Sequence, residues 1–217
     1  MSGIAKIRAR FRPAQTLLSD ETGAALPELA LVLPVFLLLI FGLIDFGRMG
    51  YEFVMANKAT DLAARLAATL PPACPGVATE NLPGVVPVGT VAPRFGTGCA
   101  SAAAVCAAPA TVTCTAAMDT STASVIWDRV EPLMPSYSAP GNLTFSYSYD
   151  PNLGFLGGPY VPVVTVEITG LDFQFASPLG AMATLAGGNW EGFAASIPFP
   201  TISVSLPGED LAQGEAG

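Results

Sequence analysis

One uninterrupted apolar stretch near the amino terminus constrains this chain more than any other feature of its sequence. From Leu29 to Ile44, sixteen consecutive residues carry neither a charge nor a strongly polar side chain. Extending the stretch back to Ala24 gives twenty-one residues, interrupted only by Glu28. Because a helix rises about 1.5 Å per residue, this segment is about 30 Å long and can cross a bilayer. The sequence therefore predicts one transmembrane helix.

The helical pattern continues beyond the apolar stretch until Pro71 and Pro72 end it. Apolar residues recur there every three or four positions, which indicates one packed stripe. The stripe consists of Phe46, Met49, Phe53, Ala56, Ala59, Ala63, Leu66 and Leu70, and we expect Phe46, Phe53 and Leu66 to be its main packing residues. The charged residues lie on other faces: Asp45, Arg48, Glu52, Lys58, Asp61 and Arg65. We expect a solvated face, and an inter-subunit salt bridge through Arg48 or Arg65 is the alternative.

Composition limits the function classes that this chain can serve. Only 12% of its 217 residues are charged, and the net charge of −8 does not suit a nucleic-acid binder. The sequence contains no histidine, which excludes Ser-His-Asp and Cys-His catalysis and the common histidine-containing zinc sites. We therefore expect a protein that is not an enzyme and that holds no cofactor and no metal.

The four cysteines follow the predicted helix within a short distance of one another: Cys74, Cys99, Cys106 and Cys114. None forms a CxxC pair, and their region is rich in proline and glycine. An even number of cysteines in a loop-rich region beyond a membrane helix favours two disulfides in an oxidising compartment. The spacing does not select among the three pairings, and buried free thiols are the alternative.

A basic flank precedes the apolar stretch and indicates its orientation. Residues 1–19 carry four basic residues and no acidic one: Lys6, Arg8, Arg10 and Arg12. The excess of Lys and Arg on the cytoplasmic side of membrane helices places the amino terminus in the cytoplasm. The bulk of the chain would then lie outside the cytoplasm, on a single-pass membrane anchor.

The sequence of the carboxyl-terminal part of the chain predicts both helices and strands. Residues 119–133 have a helical pattern with Asp119 or Thr120 as its cap, and 177–186 predict a short second helix. Strands are predicted at 142–149, at 161–175 with a break at Gly170, and at 197–206. Together these elements predict an α+β fold, in which a long amino-terminal helix precedes a small head domain built on an antiparallel sheet of three or four strands.

The amino-terminal region resembles the TadE/TadG-like family, whose members are minor pilins or pseudopilins of the Tad (Flp-type) pilus machinery. The resemblance covers about residues 22–68. Its motifs occur together and in order: Gly23, Glu28 five residues later, ALVLP at 30–34, a leucine-rich run, IDFGR at 44–48 and AARLAA at 63–68. One departure is Leu66-Ala67, where the family often has an acidic residue followed by glycine.

The resemblance implies a pilin-like plan and a structural role in a Tad-type pilus or secretion apparatus. A prepilin peptidase would cut between Gly23 and Ala24, and Glu28 would neutralise the new amino terminus of a neighbouring subunit. The implied partners are other pilins or pseudopilins and the assembly platform. The alternative for Glu28 is a hydrated interfacial carboxylate. The alternative for the whole protein is an uncleaved single-pass membrane protein whose extracytoplasmic part binds partners in the cell envelope.

The expected organisation has five segments. They are a basic cytoplasmic leader (1–23), the transmembrane and amphipathic helix (24–70), a loop region rich in proline, glycine and cysteine (71–117), the extracytoplasmic α+β head (118–206) and an acidic, disordered tail (207–217). Pro34, inside the membrane stretch, predicts a kink or local opening of the helix.

Overall fold

The computed structural model describes residues 25–118, 120–175, 196–209 and 211. Several sequence expectations lie outside these residues: the basic leader, the cleavage site between Gly23 and Ala24, the Asp119 cap, the short helix at 177–186 and most of the tail. The described residues that follow the first helix are called the head below.

The first helix, α1, runs from Ala25 to Thr69 without interruption, which confirms the long amino-terminal helix. Its first half is exposed, and its second half lies against the head through a row of alanines. The fully buried members of this row are Ala56, Ala59, Ala63, Ala64 and Ala67. Alanine has the highest helix propensity and the shortest apolar side chain, so this half stays helical while its backbone approaches the sheet closely.

Four strands form the antiparallel sheet that the sequence predicts. They are β1 (Val112–Thr115), β2 (Leu143–Ser148), β3 (Val163–Ile168) and β6 (Ile202–Pro207), in the spatial order β1-β2-β3-β6. The register pairs Cys114 with Phe145, Phe145 with Val166, and Val166 with Val204. A separate two-stranded ribbon pairs β4 (Asp172–Gln174) with β5 (Ser196–Pro198).

The sheet has one apolar face and one hydroxyl-rich face. Along β2, Leu143, Phe145 and Tyr147 are buried and alternate with half-buried Thr144, Ser146 and Ser148. Successive strand residues point to opposite faces, so this alternation confirms the predicted half-buried strand. The apolar face packs on α1, α1 also packs on the second helix, and side chains from all three form the main core.

The helix α2 spans Ser121–Val130 and confirms the helix predicted in this region. The Thr120 hydroxyl accepts a hydrogen bond from the backbone N–H of Ala123 at 3.2 Å, so Thr120 is the cap. Ile126, Trp127 and Val130 are buried, as expected of packing residues.

One expectation about the last strands and one about the tail need correction. Gly170, with φ of +63°, separates β3 from β4 as the sequence predicts. The single strand expected at 197–206 is instead two strands, because prolines 198 and 200 interrupt the backbone hydrogen bonding between β5 and β6. The first tail residues are also ordered. The backbone N–H groups of Gly208 and Glu209 donate to the carbonyls of Pro162 and Ala68.

The loop region after α1 contains two disulfides. Cys74 is bonded to Cys114, which joins the segment just after α1 to the edge strand β1. Cys99 is bonded to Cys106 within a small second cluster that also contains Val105 and Leu156. The covalent links hold a segment whose regular structure among the described residues is limited to a short 3₁₀ turn before β1.

Candidate functional site: the long helix and its attachment to the head

The first half of α1 is suited to a membrane. By length and composition, α1 is able to span a bilayer: its most apolar window has a mean hydropathy of 2.7, and only 6% of that window is buried. The core helix of a soluble protein would be mostly buried instead. Large apolar side chains such as Leu31, Val32 and Leu43 are more than 60% exposed. This half therefore presents an apolar surface that water solvates poorly and that lipid or other helices solvate well.

Glu28 and Pro34 both lie in this exposed half. Glu28 is in the first turn of α1, where a carboxylate is favourable next to the unpaired backbone N–H groups, and its side chain is exposed. Helix α1 continues through Pro34. Glu28 is therefore accessible to a partner that approaches the start of the helix.

The three expected packing residues have different environments. Leu66 is half-buried and packs against the main core, and Phe53 lies 6.2 Å from Phe199 between ring centroids. Phe46 is 64% exposed and does not pack on the head. The fully buried residues of the stripe are therefore the small ones, Ala56, Ala59 and Ala63, and its larger side chains are half-buried or exposed.

A polar cluster fastens α1 to the head just beyond the membrane half. The Arg48 Nε donates to the Glu52 Oε1 at 2.8 Å, and the Arg48 guanidinium also donates to the Gln174 carbonyl at 3.0 Å. The Tyr137 hydroxyl donates to the Glu52 Oε2 at 2.6 Å. The Arg48 guanidinium lies 5.2 Å from the centroid of the Phe173 ring, within the range of a cation–π interaction. We call Arg48, Glu52 and Tyr137 the clasp.

The clasp corrects the expectation of a solvated charged face for the first turns after Ile44. The side chain of Glu52 is 12% exposed, and Asp45 is only 1% exposed. Farther along, the expectation holds: Lys58 is exposed, and Arg65 and Asp61 form an exposed pair at 3.2 Å. The charged residues next to the apolar half of α1 therefore contact the head, and those farther along the helix face solvent.

Burial, followed by the hydrogen bond to the Glu52 carboxylate, raises the pKa of Tyr137 well above its ordinary value. The hydroxyl therefore stays protonated and keeps its role as donor over the neutral pH range. Sequence reasoning did not identify Tyr137, because it lies in a proline-rich loop 85 residues away from Glu52. The only part of the clasp that the sequence indicates is the pair of Arg48 and Glu52, because their i,i+4 spacing places opposite charges next to each other on the helix.

The grouped polar side chains and cysteines of the described residues make structural contacts. Among them, no group of three or more His, Cys, Asp or Glu side chains could hold a metal ion. The four cysteines are in disulfides. The main polar constellation within these residues, the clasp, holds two parts of the chain together and presents no activated nucleophile.

Comparison with known protein families gives a match in the amino-terminal part of the chain. The family model described as TadE-like protein matches residues 23–65. Neither a curated protein nor a solved structure matches the chain significantly. The matched segment covers the membrane half of α1, the clasp residues Arg48 and Glu52, and most of the alanine row. Residues 23–65 are therefore a TadE-like segment, and this supports a structural component related to the Tad pilus.

Proposed function

We propose that this protein is a minor pilin or pseudopilin of a Tad-type pilus or secretion apparatus. It is inserted in the inner membrane with its amino terminus in the cytoplasm and its head outside. A prepilin peptidase cuts it after Gly23, and the mature chain assembles with other pilins through α1. The observation that carries this proposal is the division of α1 into an exposed apolar half and a half fixed to the head, within a TadE-like segment.

The exposed half of α1 needs an apolar environment. About twenty apolar residues in a helix are stable in a bilayer or among other helices of the same kind. Because the second half of α1 is held by the core and the clasp, moving the first half out of the bilayer moves the head with it. A helix of this design can pass from membrane to fibre as one unit with its head. Glu28, exposed at the start of α1, would meet the amino group of a neighbouring subunit there.

The test of processing is the amino-terminal sequence or the intact mass of the protein recovered from its native membrane. We expect a chain that begins at Ala24. The variant Gly23→Leu should retain the leader, because a branched side chain hinders entry of the extended backbone into a protease site. Gly42→Ala is the matched control. An added Cβ meets nothing within 4 Å there, so processing should be unchanged.

The test of assembly examines the role of Glu28 independently of cleavage after Gly23. We expect Glu28→Gln to be cut like the wild type but to be lost from purified fibres or from cross-linked pilin complexes. Glu131→Gln, an exposed acid on the head, should behave as the wild type.

A chain that still begins at Met1 or Ser2 would overturn the processing step and leave the uncleaved membrane-anchored binding protein as the function to test.

A further inference from the structure

A loop of the head, residues 84–96, exposes an unusual set of apolar side chains. Val85, Val88, Val91 and Phe95 are 92%, 107%, 94% and 81% exposed. Side chains on a flat surface are partly covered by their neighbours, so values near 100% mean that these groups stand clear of the head. Clusters of this kind on soluble domains mark interaction sites. We call residues 84–96 the finger.

The finger has a fixed base. The N–H of Gly84 donates to the Val105 carbonyl, and the N–H of Gly96 donates to the Leu156 carbonyl at 2.9 Å. The Cys99–Cys106 disulfide closes the segment that contains Val105, and this segment packs with Leu156 in one buried cluster. At the tip, the N–H of Thr90 donates to the Pro87 carbonyl, and Gly89 has a φ of +89°, which glycine adopts readily. Val88 therefore projects from a defined turn.

The Phe95 ring also has a defined place. It lies over Gly157, where an added Cβ would come within 3 Å of the ring, so the absence of a side chain at 157 makes room for it. The aromatic ring is thus presented outward on a backbone platform. Its exposure is a property of the fold at this position.

The finger lies at the end of the head that is far from the membrane half of α1. The clasp, next to Ile44, contacts Gln174 at the end of β4, near the Leu143 and Ile168 end of the sheet. The finger contacts residues 154–158, which follow the opposite end of β2. Between Asp45 and Thr69 the helix rises about 36 Å. The finger therefore points away from the bilayer that α1 can span.

The charge around the finger is also distinctive. The chain carries −8 overall, yet residues 81–118 contain no acidic residue and one basic residue, Arg94. Arg94 directly precedes Phe95 and is exposed. The only hydroxyl of the finger, on Thr90, already donates to the Pro87 carbonyl at 2.6 Å. The finger thus combines apolar side chains, one positive charge and few free hydrogen-bonding side chains.

We propose that the finger inserts into the interface of an anionic lipid bilayer other than the one that α1 spans. Protein interfaces carry about one hydrogen bond per 100–200 Å² and match shaped pockets, and the finger offers few side-chain donors for such contacts. A bilayer interface needs only apolar burial and a positive charge near the anionic headgroups. The backbone of the finger stays at headgroup depth, where water reaches its polar groups.

The test uses the full chain in nanodiscs of phosphatidylcholine, mixed with sucrose-loaded vesicles of equal parts phosphatidylcholine and phosphatidylglycerol. Because α1 is already inserted in the nanodisc, sedimentation of discs together with vesicles measures vesicle binding by the head. We expect the wild type to sediment and Val88→Asp to bind at least about tenfold more weakly, as expected when one buried valine is lost. Arg94→Gln should weaken binding to these vesicles and leave binding to pure phosphatidylcholine vesicles unchanged.

The control is Val125→Asp, which changes an exposed valine of α2 and should leave sedimentation unchanged. Sedimentation of empty discs gives the background. Wild-type discs that do not sediment above this background would overturn the proposal. Discs that instead pair with one another without vesicles, and stop pairing in Val88→Asp, would show that the finger binds a second copy of the protein. Neither outcome depends on cleavage at Gly23 or on assembly through Glu28.

Discussion

The Tyr137 hydroxyl reaches Glu52 across 85 residues of sequence and meets its carboxylate at 2.6 Å. Glu52 is shared, since its other oxygen accepts from Arg48. A hydrogen bond to a charged and partly buried group contributes more than a neutral one, on the order of 1.5–3 kcal/mol. At the scale of single residues, this contact decides how α1 is held where it leaves the membrane half.

We therefore predict that Tyr137→Phe lowers the free energy of unfolding of the head by about 1.5 kcal/mol. The ring and its packing remain, while the Glu52 carboxylate loses one donor. Urea unfolding of the detergent-solubilised protein, followed by near-ultraviolet circular dichroism, measures the change. Tyr51→Phe is the matched control. Tyr51 is 65% exposed on the same helix, and its loss should change stability little.

The raised pKa of Tyr137 adds a pH dependence to the same prediction. Because its pKa is higher in the folded state than the unfolded value near 10, its contribution is complete below pH 10 and is lost as pH rises beyond it. The free energy of unfolding should fall above about pH 10, and less steeply in Tyr137→Phe. Burial also raises the pKa of Tyr147, so part of the fall should remain. Equal slopes in both proteins would contradict the role assigned to Tyr137.

At the scale of elements, the two disulfides close loops of very different length. Cys74 and Cys114 are 40 residues apart and join the segment that follows α1 to β1, whereas Cys99 and Cys106 are 7 apart and hold the base of the finger. On the chain-entropy account, a cross-link stabilises more when the loop it closes is longer. The edge strand β1 is only four residues long, so its position depends on this bond as well as on pairing with β2.

We predict that the double variant Cys74→Ala/Cys114→Ala lowers the free energy of unfolding of the head by about 4 kcal/mol. Cys99→Ala/Cys106→Ala should lower it by about 2.5 kcal/mol at most, because the closed loop is short. The same urea titration compares the two, and each pair serves as the control for the other. A larger loss from the shorter loop would contradict the entropic account and assign the stability to the second cluster.

At the scale of the whole molecule, the elements that depend on local sequence pattern could be predicted from the sequence. Helix α1, the buried alternation of β2 and the Thr120 cap follow from periodicity and short-range hydrogen bonding, and the structure contains each. The clasp and the finger depend on where distant segments meet. Nothing in the spacing of Arg48 and Glu52 reveals Tyr137, and the glycine at 157 gives no sign that Phe95 lies above it. The packing of Phe46 was predicted from the helical period alone, and its side chain is 64% exposed in the structure.

The segment between the membrane half and the head half of α1 contains two glycines, Gly47 and Gly50, beside the clasp residue Arg48. Both are exposed, and an added Cβ meets nothing within 4 Å at either position. Glycine inside a helix costs about 1 kcal/mol relative to alanine, since it leaves the backbone freer. Two glycines within one turn therefore lower the intrinsic stability of the helix at this junction.

We predict that Gly47→Ala/Gly50→Ala stiffens the junction and slows amide hydrogen exchange over residues 45–52, by about fivefold for each alanine. Gly141→Ala, in an exposed turn with open space around it, should leave exchange in this segment unchanged. If assembly requires the head to tilt against the membrane half, the double variant should also reach fibres less well while being cut normally. Unchanged exchange would show that the clasp already fixes the junction, so that the span and the head move as one rigid body.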